Sequence, residues 1–281
     1  MTTYNQADSH SLMSATLLSI IAISIYSFCA LYQGRRLLKP AALPPRHDLL
    51  HGAISIALAL HGIAAFKLIT AGQGIDLGIL PMTSLSSWCI TTLLLISSLR
   101  RPLDNLFALL LPITVLCVAL PLIFVGPKVQ LEKLNMGVVS HILLSMLAHG
   151  ALAIGTLQAA LLATQEKHLK QRVTKGIIQA LPPMQTMENL LFEILWLGFI
   201  LLSLALITGF LYIEDIFAQH LVHKTGLSMA AWVALAILLW GRYKLGWRSQ
   251  TAARWTFVVF ILLMLAYFGS KFVLEIILQR H

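Results

Sequence analysis

A chain of 281 residues that is 58% hydrophobic and only 11% charged falls outside the soluble globular class, in which about 25% of residues are charged. Its net charge of +9 does not point to nucleic acid, because the basic residues are scattered through short loops, where they set membrane topology. Several apolar runs approach or exceed the ~18 residues that cross about 30 Å of hydrocarbon as a helix, so the expected fold is all-α: a polytopic membrane protein, a bundle of about eight transmembrane helices forming a single transmembrane domain over residues 1–281.

The segment Met1–Ser11 carries no Lys or Arg, so it lacks the basic start of a secretory signal, and the first apolar run is expected to stay as a membrane helix. That run spans residues 12–32 and is followed by the basic, proline-rich GRRLLKPAALPPRHD. The second span, 49–70, ends in the glycine-rich AGQGIDLGILP. The third, 82–99, is closed by Arg100, Arg101 and Pro102. The fourth, 106–125, carries Pro112 and Pro121 and is expected to bend. The polar GPKVQLEKLNMG leads to the fifth span, 138–164, whose basic end is expected to project from the bilayer. The sixth covers 190–213, the loop EDIFAQHLVHKTG follows, and the seventh and eighth cover 227–243 and 255–277.

Of the 20 Lys and Arg residues, 14 fall in the loops after spans one, three, five and seven. The positive-inside rule then places both termini outside and those loops in the cytoplasm. Cys29, Cys89 and Cys117 lie in three separate apolar segments with no C-x-x-C or C-x-x-C-H, so there is no redox pair and no covalent haem-attachment motif. No phosphate-binding glycine loop, zinc-protease motif, nucleophile elbow or paired-carboxylate signature is found. The chain is expected not to be an enzyme.

Histidine carries what chemistry there is, since polar groups within spans are costly and turn toward a bundle interior or cavity. His141 lies just below the outer end of span five, and His220 and His223 lie in the outer loop before span seven. In an antiparallel bundle they meet at one outer mouth, where two neutral imidazoles on opposite sides of a planar ligand would suit haem iron. His141 reads equally as a hydrogen-bonded interhelical contact, and His223 as a solvated loop residue. His61 and His149 sit mid-span at similar depth, about 14–17 Å below the outer ends, which allows a second, deeper pair; the other reading of His149 is packing beside Gly150 and Gly155. His141 and His149 are separated by about 80° around the helix and need not share a face. His47 and His51, at the cytoplasmic mouth of span two, read as interfacial. Glu193 reads as paired with a basic loop residue such as Lys175, or as protonated. Trp196, Trp232 and Trp240 suit an interfacial belt or a cofactor wall, with the belt favoured for Trp240.

The stretches SHILLSMLAHGALAIGTLQAALL in span five, HKTGLSMAAWVALAILLWGRYKLGW through span seven and YFGSKFV in span eight resemble the cytochrome c assembly transmembrane family, of the CcsA, ResC and CcmC type. The likeness is greatest to its HemX- and YpjD-like inner-membrane branch. It covers residues 138–275 well and the first four spans weakly, with His61 as the anchor there. The resemblance implies an inner-membrane protein that binds haem through paired histidines and carries it across the membrane or presents it at the outer face. On that likeness His141 matches the family's outer histidine, His61 a histidine in an early helix, and Lys224 and Trp232 the lysine and second tryptophan of the outer segment. The tryptophan-rich loop ending W-D-P-K-E-T-W is replaced here by Leu221–Leu227, without tryptophan or Asp-Pro, and Trp240 stands where those proteins often have a histidine.

Two functional readings follow. In the first the protein handles haem b, with His141 as iron ligand, His223 or His61 as its partner, His149 as a further cofactor-binding residue, and Lys224 or Lys128 near the propionates. Its partners are haem, the lipid bilayer and other membrane assembly proteins, and no nucleic acid. In the second it keeps the fold as a non-haem scaffold or regulator of tetrapyrrole synthesis or of a transport partner. A secondary transporter is a weaker third class, since only the proline-bearing fourth span suggests a broken helix.

Overall fold

The computed structural model describes residues 2–39, 46–70, 75–124, 130–131, 135–172, 177–212 and 219–269; side chains are described for all of these except 2–12, 75, 130–131 and 219–223. In order, the elements are α1 (Thr2–Leu38), α2 (His47–Ile69), β1 (Ile75–Asp76), α3 (Ile79–Ser98), a 3-10 turn (Asp104–Leu106) leading into α4 (Phe107–Ile123), β2 (Gln130–Leu131), α5 (Met136–Lys170), the single turn α6 (Ile177–Ala180), α7 (Met184–Tyr212), α8 (Gln219–Leu245) and α9 (Ser249–Met264), which passes into a π-helical turn at Leu265–Gly269. The two short strands pair antiparallel, Ile75 opposite Leu131. Eight helices, all but α6, are long and apolar enough to cross a membrane. The chain is an all-α polytopic membrane protein.

Most span ends lie within a few residues of those expected from sequence. One difference matters for the site. Helix α8 begins at Gln219, so His220 and His223 stand in its first turns and not in a loop. The segment Gln219–Lys224 contains no proline, and the single Gly226 costs about 1 kcal/mol in a helix, less than unpaired backbone groups would cost at depth in lipid. Helix α5 runs on to Lys170, in line with the expected projection. The end of the eighth expected span, with Lys128 and Lys175, lies outside the described residues.

The helices fall into two compact units, α1–α4 within residues 1–134 and α5–α9 within 135–273. In the first, α1 packs on α2 and α4, and α3 on α2 and α4. The buried stripe of α1 is Ala15, Ser19, Ala22, Tyr26, Cys29, Gln33 and Leu37, steps of three or four that keep one narrow face inward. Its large apolar residues Leu17, Ile20, Phe28 and Leu31 point outward, as a surface solvated by lipid requires.

In the second unit α5 packs on α7 and α9, and α8 on α7 and α9. Glycine lets the α5 and α7 backbones approach. A Cβ on Gly198 would lie 2.8 Å from the Leu152 Cγ, and one on Gly137 would overlap the Tyr212 ring. Helix α8 stops at Gly246, whose φ of +64° is a left-handed conformation that favours glycine. The Trp247 N–H then returns to the Gly241 carbonyl at 3.2 Å, and its ring stacks on Trp255 with centroids 5.6 Å apart.

Candidate functional site

His61 is completely buried in the first unit. Its Nδ1 lies 3.5 Å from the Tyr26 hydroxyl of α1, and its Nε2 3.1 Å from the Ser84 hydroxyl of α3. The Tyr26 ring meets the imidazole edge-on at 6.0 Å. Both ring nitrogens therefore have partners, and ligation through either would cost a buried hydrogen bond.

Nearer the other end of the unit, Asp104 accepts from both histidines at the start of α2. His47 Nδ1 contacts one carboxylate oxygen, and His51 Nε2 lies 2.9 Å from the other. Gln33 Nε2 donates to the Asp104 carbonyl at 2.8 Å, and Ser98 Oγ lies 3.3 Å from His51 Nε2. The sequence reading of His47 and His51 as interfacial residues misses this arrangement. Their i, i+4 spacing, which puts both on one helix face, was the available signal, but nothing local pairs them with a residue more than 50 positions away. Among the described residues no three His, Cys, Asp or Glu side chains are arranged to hold a metal ion. In the His47–Asp104–His51 group the imidazole nitrogens face the carboxylate oxygens directly, with no ion-sized gap between them.

In the second unit His141 and His149 leave α5 on different sides, as their separation around the helix predicts. His149 Nδ1 lies 2.8 Å from the Ser145 carbonyl one turn back. Its Nε2 lies 3.4 Å from the Leu263 carbonyl of α9, and its ring packs against Tyr267. His141 faces α7. Its Nδ1 donates to the Ala205 carbonyl at 2.8 Å, and its ring lies against Gly209, where an added Cβ would be 3.0 Å from Cε1. The Nδ1 bond fixes the tautomer, so the neutral imidazole presents Nε2 as a free lone pair. That nitrogen has no hydrogen-bond partner among the described residues.

The remaining sequence candidates are placed as follows. Trp232 donates its indole N–H to Ser203 Oγ at 2.8 Å and stacks on Phe199 with centroids 5.4 Å apart, so it packs α8 against α7. Lys224 is half-buried near the start of α8 and has an interaction partner. Trp196 and Trp240 are exposed, as an interfacial belt requires. The side chain of His223 lies outside the described residues. His61 and His149, candidates for a deep pair, belong to different units, and each has both ring nitrogens engaged within its own.

One ionic contact was not anticipated. Glu188, near the start of α7 and almost fully buried, pairs with Arg242 of α8. The guanidinium carbon of Arg242 also lies 4.6 Å from the centroid of the Phe192 ring. The basic, aromatic run Arg242–Arg248 is thus partly an internal tether and not purely a solvated end.

Comparison with known proteins places these features. The family model described as Cytochrome C assembly protein matches residues 53–278. The chain is 33% identical over 224 residues to the inner membrane protein YpjD of Escherichia coli K12, covering 79% of this chain and 85% of that one. It is 31% identical over 140 residues to an uncharacterized 28.8 kDa protein in the nifR3-like 5' region of Azospirillum brasilense, covering 49% of this chain and 52% of that one. No solved structure matches. The eight apolar helices and the relationship to inner-membrane proteins make this a multi-pass inner-membrane protein. With the family model spanning most of the chain, the protein belongs to the cytochrome c assembly protein family.

Proposed function

We propose that this protein handles haem b in the membrane, with His141 as an axial ligand to the iron. The observation that carries this is the state of the His141 ring. Its Nδ1–H is held by the Ala205 carbonyl, which leaves Nε2 unprotonated, the form in which a histidine binds a metal. Gly209 keeps the ring in place by offering no side chain beneath it. The resemblance of His141 to the family's outer histidine points to the same ligand.

His141 would hold the iron from one side. His223 is the candidate for a second ligand, since it is carried on the first turns of α8. His61 and His149 would each have to give up hydrogen bonds to serve. Haem, if bound, would supply an iron centre that histidine nitrogens can hold. The chain contributes ligation at His141 and orientation through Ala205 and Gly209. It acts by binding and release, without making or breaking covalent bonds. The excess of Lys and Arg in the four basic loops supports a topology with both termini outside.

The test is the visible absorption of purified protein in detergent, before and after dithionite. Haem handling predicts a Soret shift and sharp reduced bands that disappear in His141→Ala. A second reading, a non-haem scaffold, draws on the engagement of both nitrogens in His61 and His149. A spectrum that stays featureless through titration with hemin would select it.

A further inference from the structure

The first unit contains more buried polarity than holding four helices together requires. In α1, Ser19, Tyr26 and Gln33 are fully buried and recur every seven residues on one face. In α3, Ser84, Ser87, Thr91 and Ser98 are buried, also along one face. These residues meet partners from the other helices in successive layers. At the mouth, half-exposed His47 and His51 share Asp104, with Ser98 against His51. Two turns along α3, the Thr91 and Thr114 hydroxyls lie 2.9 Å apart. Two turns beyond, Ser84 meets His61, which meets Tyr26. Near the far end of α2, the Lys67 ammonium donates to Ser14 at 2.7 Å.

We propose that the first unit is a proton relay across the membrane, with His47, His51 and Asp104 as its mouth, Thr91, Thr114, Ser84, His61 and Tyr26 as its inner stations, and Ser19 and then Ser14 beside Lys67 as its way out at the far end. Each station can accept one proton and release a different one. An imidazole does this through its two nitrogens, and a hydroxyl by rotating its O–H between neighbours. One N–H or O–H bond forms as another breaks, so the protein needs no redox partner. Chains of His and acidic residues within membrane helices have this role in pumps and transporters.

The layers are separated by about 10 Å, seven residues at 1.5 Å each. Ser87 lies in the step from Thr91 to Ser84; its hydroxyl donates to the Ser84 carbonyl at 2.8 Å and Thr91 to the Ser87 carbonyl at 2.8 Å, so both must rotate off the backbone to pass a proton. The step from Ser98 to Thr91 passes the buried Leu94, Leu95, Ile54 and Leu111, a dry layer that water must enter for conduction and that holds the relay shut otherwise. Gln33, whose Nε2 is held by the Asp104 carbonyl, keeps a buried Oε1 with no partner among the described residues. It is an acceptor ready for a water at the lower edge of that layer.

The test uses the full chain in liposomes carrying an entrapped pH-sensitive dye, with a potassium gradient and valinomycin setting the potential. The expected result is dye acidification faster than in protein-free vesicles, lost in Asp104→Asn and in Thr114→Val and retained in Trp240→Phe. Asp104→Asn and Thr114→Val keep side-chain volume. If one of them fails to fold, as judged by gel filtration and circular dichroism, the other decides. Flux no faster than in protein-free vesicles overturns the proposal. Flux that survives in the folded variants also overturns it, since protons would then be moving elsewhere.

Discussion

The first unit joins its helices through side chains that meet in mid-membrane, Tyr26 with His61 and Ser84, and Thr91 with Thr114. The second brings α5 and α7 together over glycine and gathers its charged contacts at one end. There Glu188 pairs with Arg242, and Glu166 meets Lys170 and Ser249, all near the C-termini of α5 and α8 or the N-termini of α7 and α9. The difference bears directly on function. In the first unit His61 is saturated by side-chain hydroxyls; in the second, His149 meets two main-chain carbonyls, while His141 bonds one carbonyl and lies against a glycine.

Four substitutions would break or sharpen this contrast. The largest effect is expected from Glu188→Ala. It leaves Arg242 part-buried and unpaired, and removing one partner of a buried ion pair costs about 3–5 kcal/mol. Thermal unfolding in detergent should show a large loss of stability, much of it recovered when Arg242→Met is added. A loss that persists in the double variant would mean the tether is not what holds that end. Next is His61→Ala, at about 2–4 kcal/mol, from the cavity and the two hydroxyls left without their partner. Native-state hydrogen exchange should show the loss in α1–α3 and spare α5 and α7.

Gly198→Val tests the second unit's packing. Its added carbons meet Leu152 within 2.8 Å, and overpacking of this kind costs about 1–3 kcal/mol. Protection should fall in α5 and α7 while the first unit is unchanged. A neutral result would show that the glycine contact is looser than the structure has it. The smallest effect is expected from Thr114→Val, which deletes the hydroxyl's bonds to Thr91 and to the Leu110 carbonyl, about 0.6 kcal/mol each. If it cost several times that amount, the Thr91–Thr114 pair would be structural first.

The unequal legibility of the two units has the same origin. The eight helices were readable because lipid demands long, nearly uncharged helical runs, and composition alone fixes that. The separation of His141 from His149 was readable because helical periodicity is local. The start of α8 was misplaced because its first residues are polar, and polarity at a membrane mouth suits a loop and a helix alike. Glu188 with Arg242, and Asp104 with His47 and His51, were invisible because each pair is more than 50 residues apart in the chain.

Composition and long apolar runs alone were enough for a helical membrane protein, because lipid leaves a chain of this kind no other way to pair its backbone. The family rested on resemblance, and the expectation that the basic loops share one side rests on the positive-inside rule. Packing decided which ring nitrogens of His61, His149 and His141 are engaged. That choice depends on what stands opposite each ring: a tyrosine and a serine opposite His61, two carbonyls opposite His149, and opposite His141 a single carbonyl above a glycine.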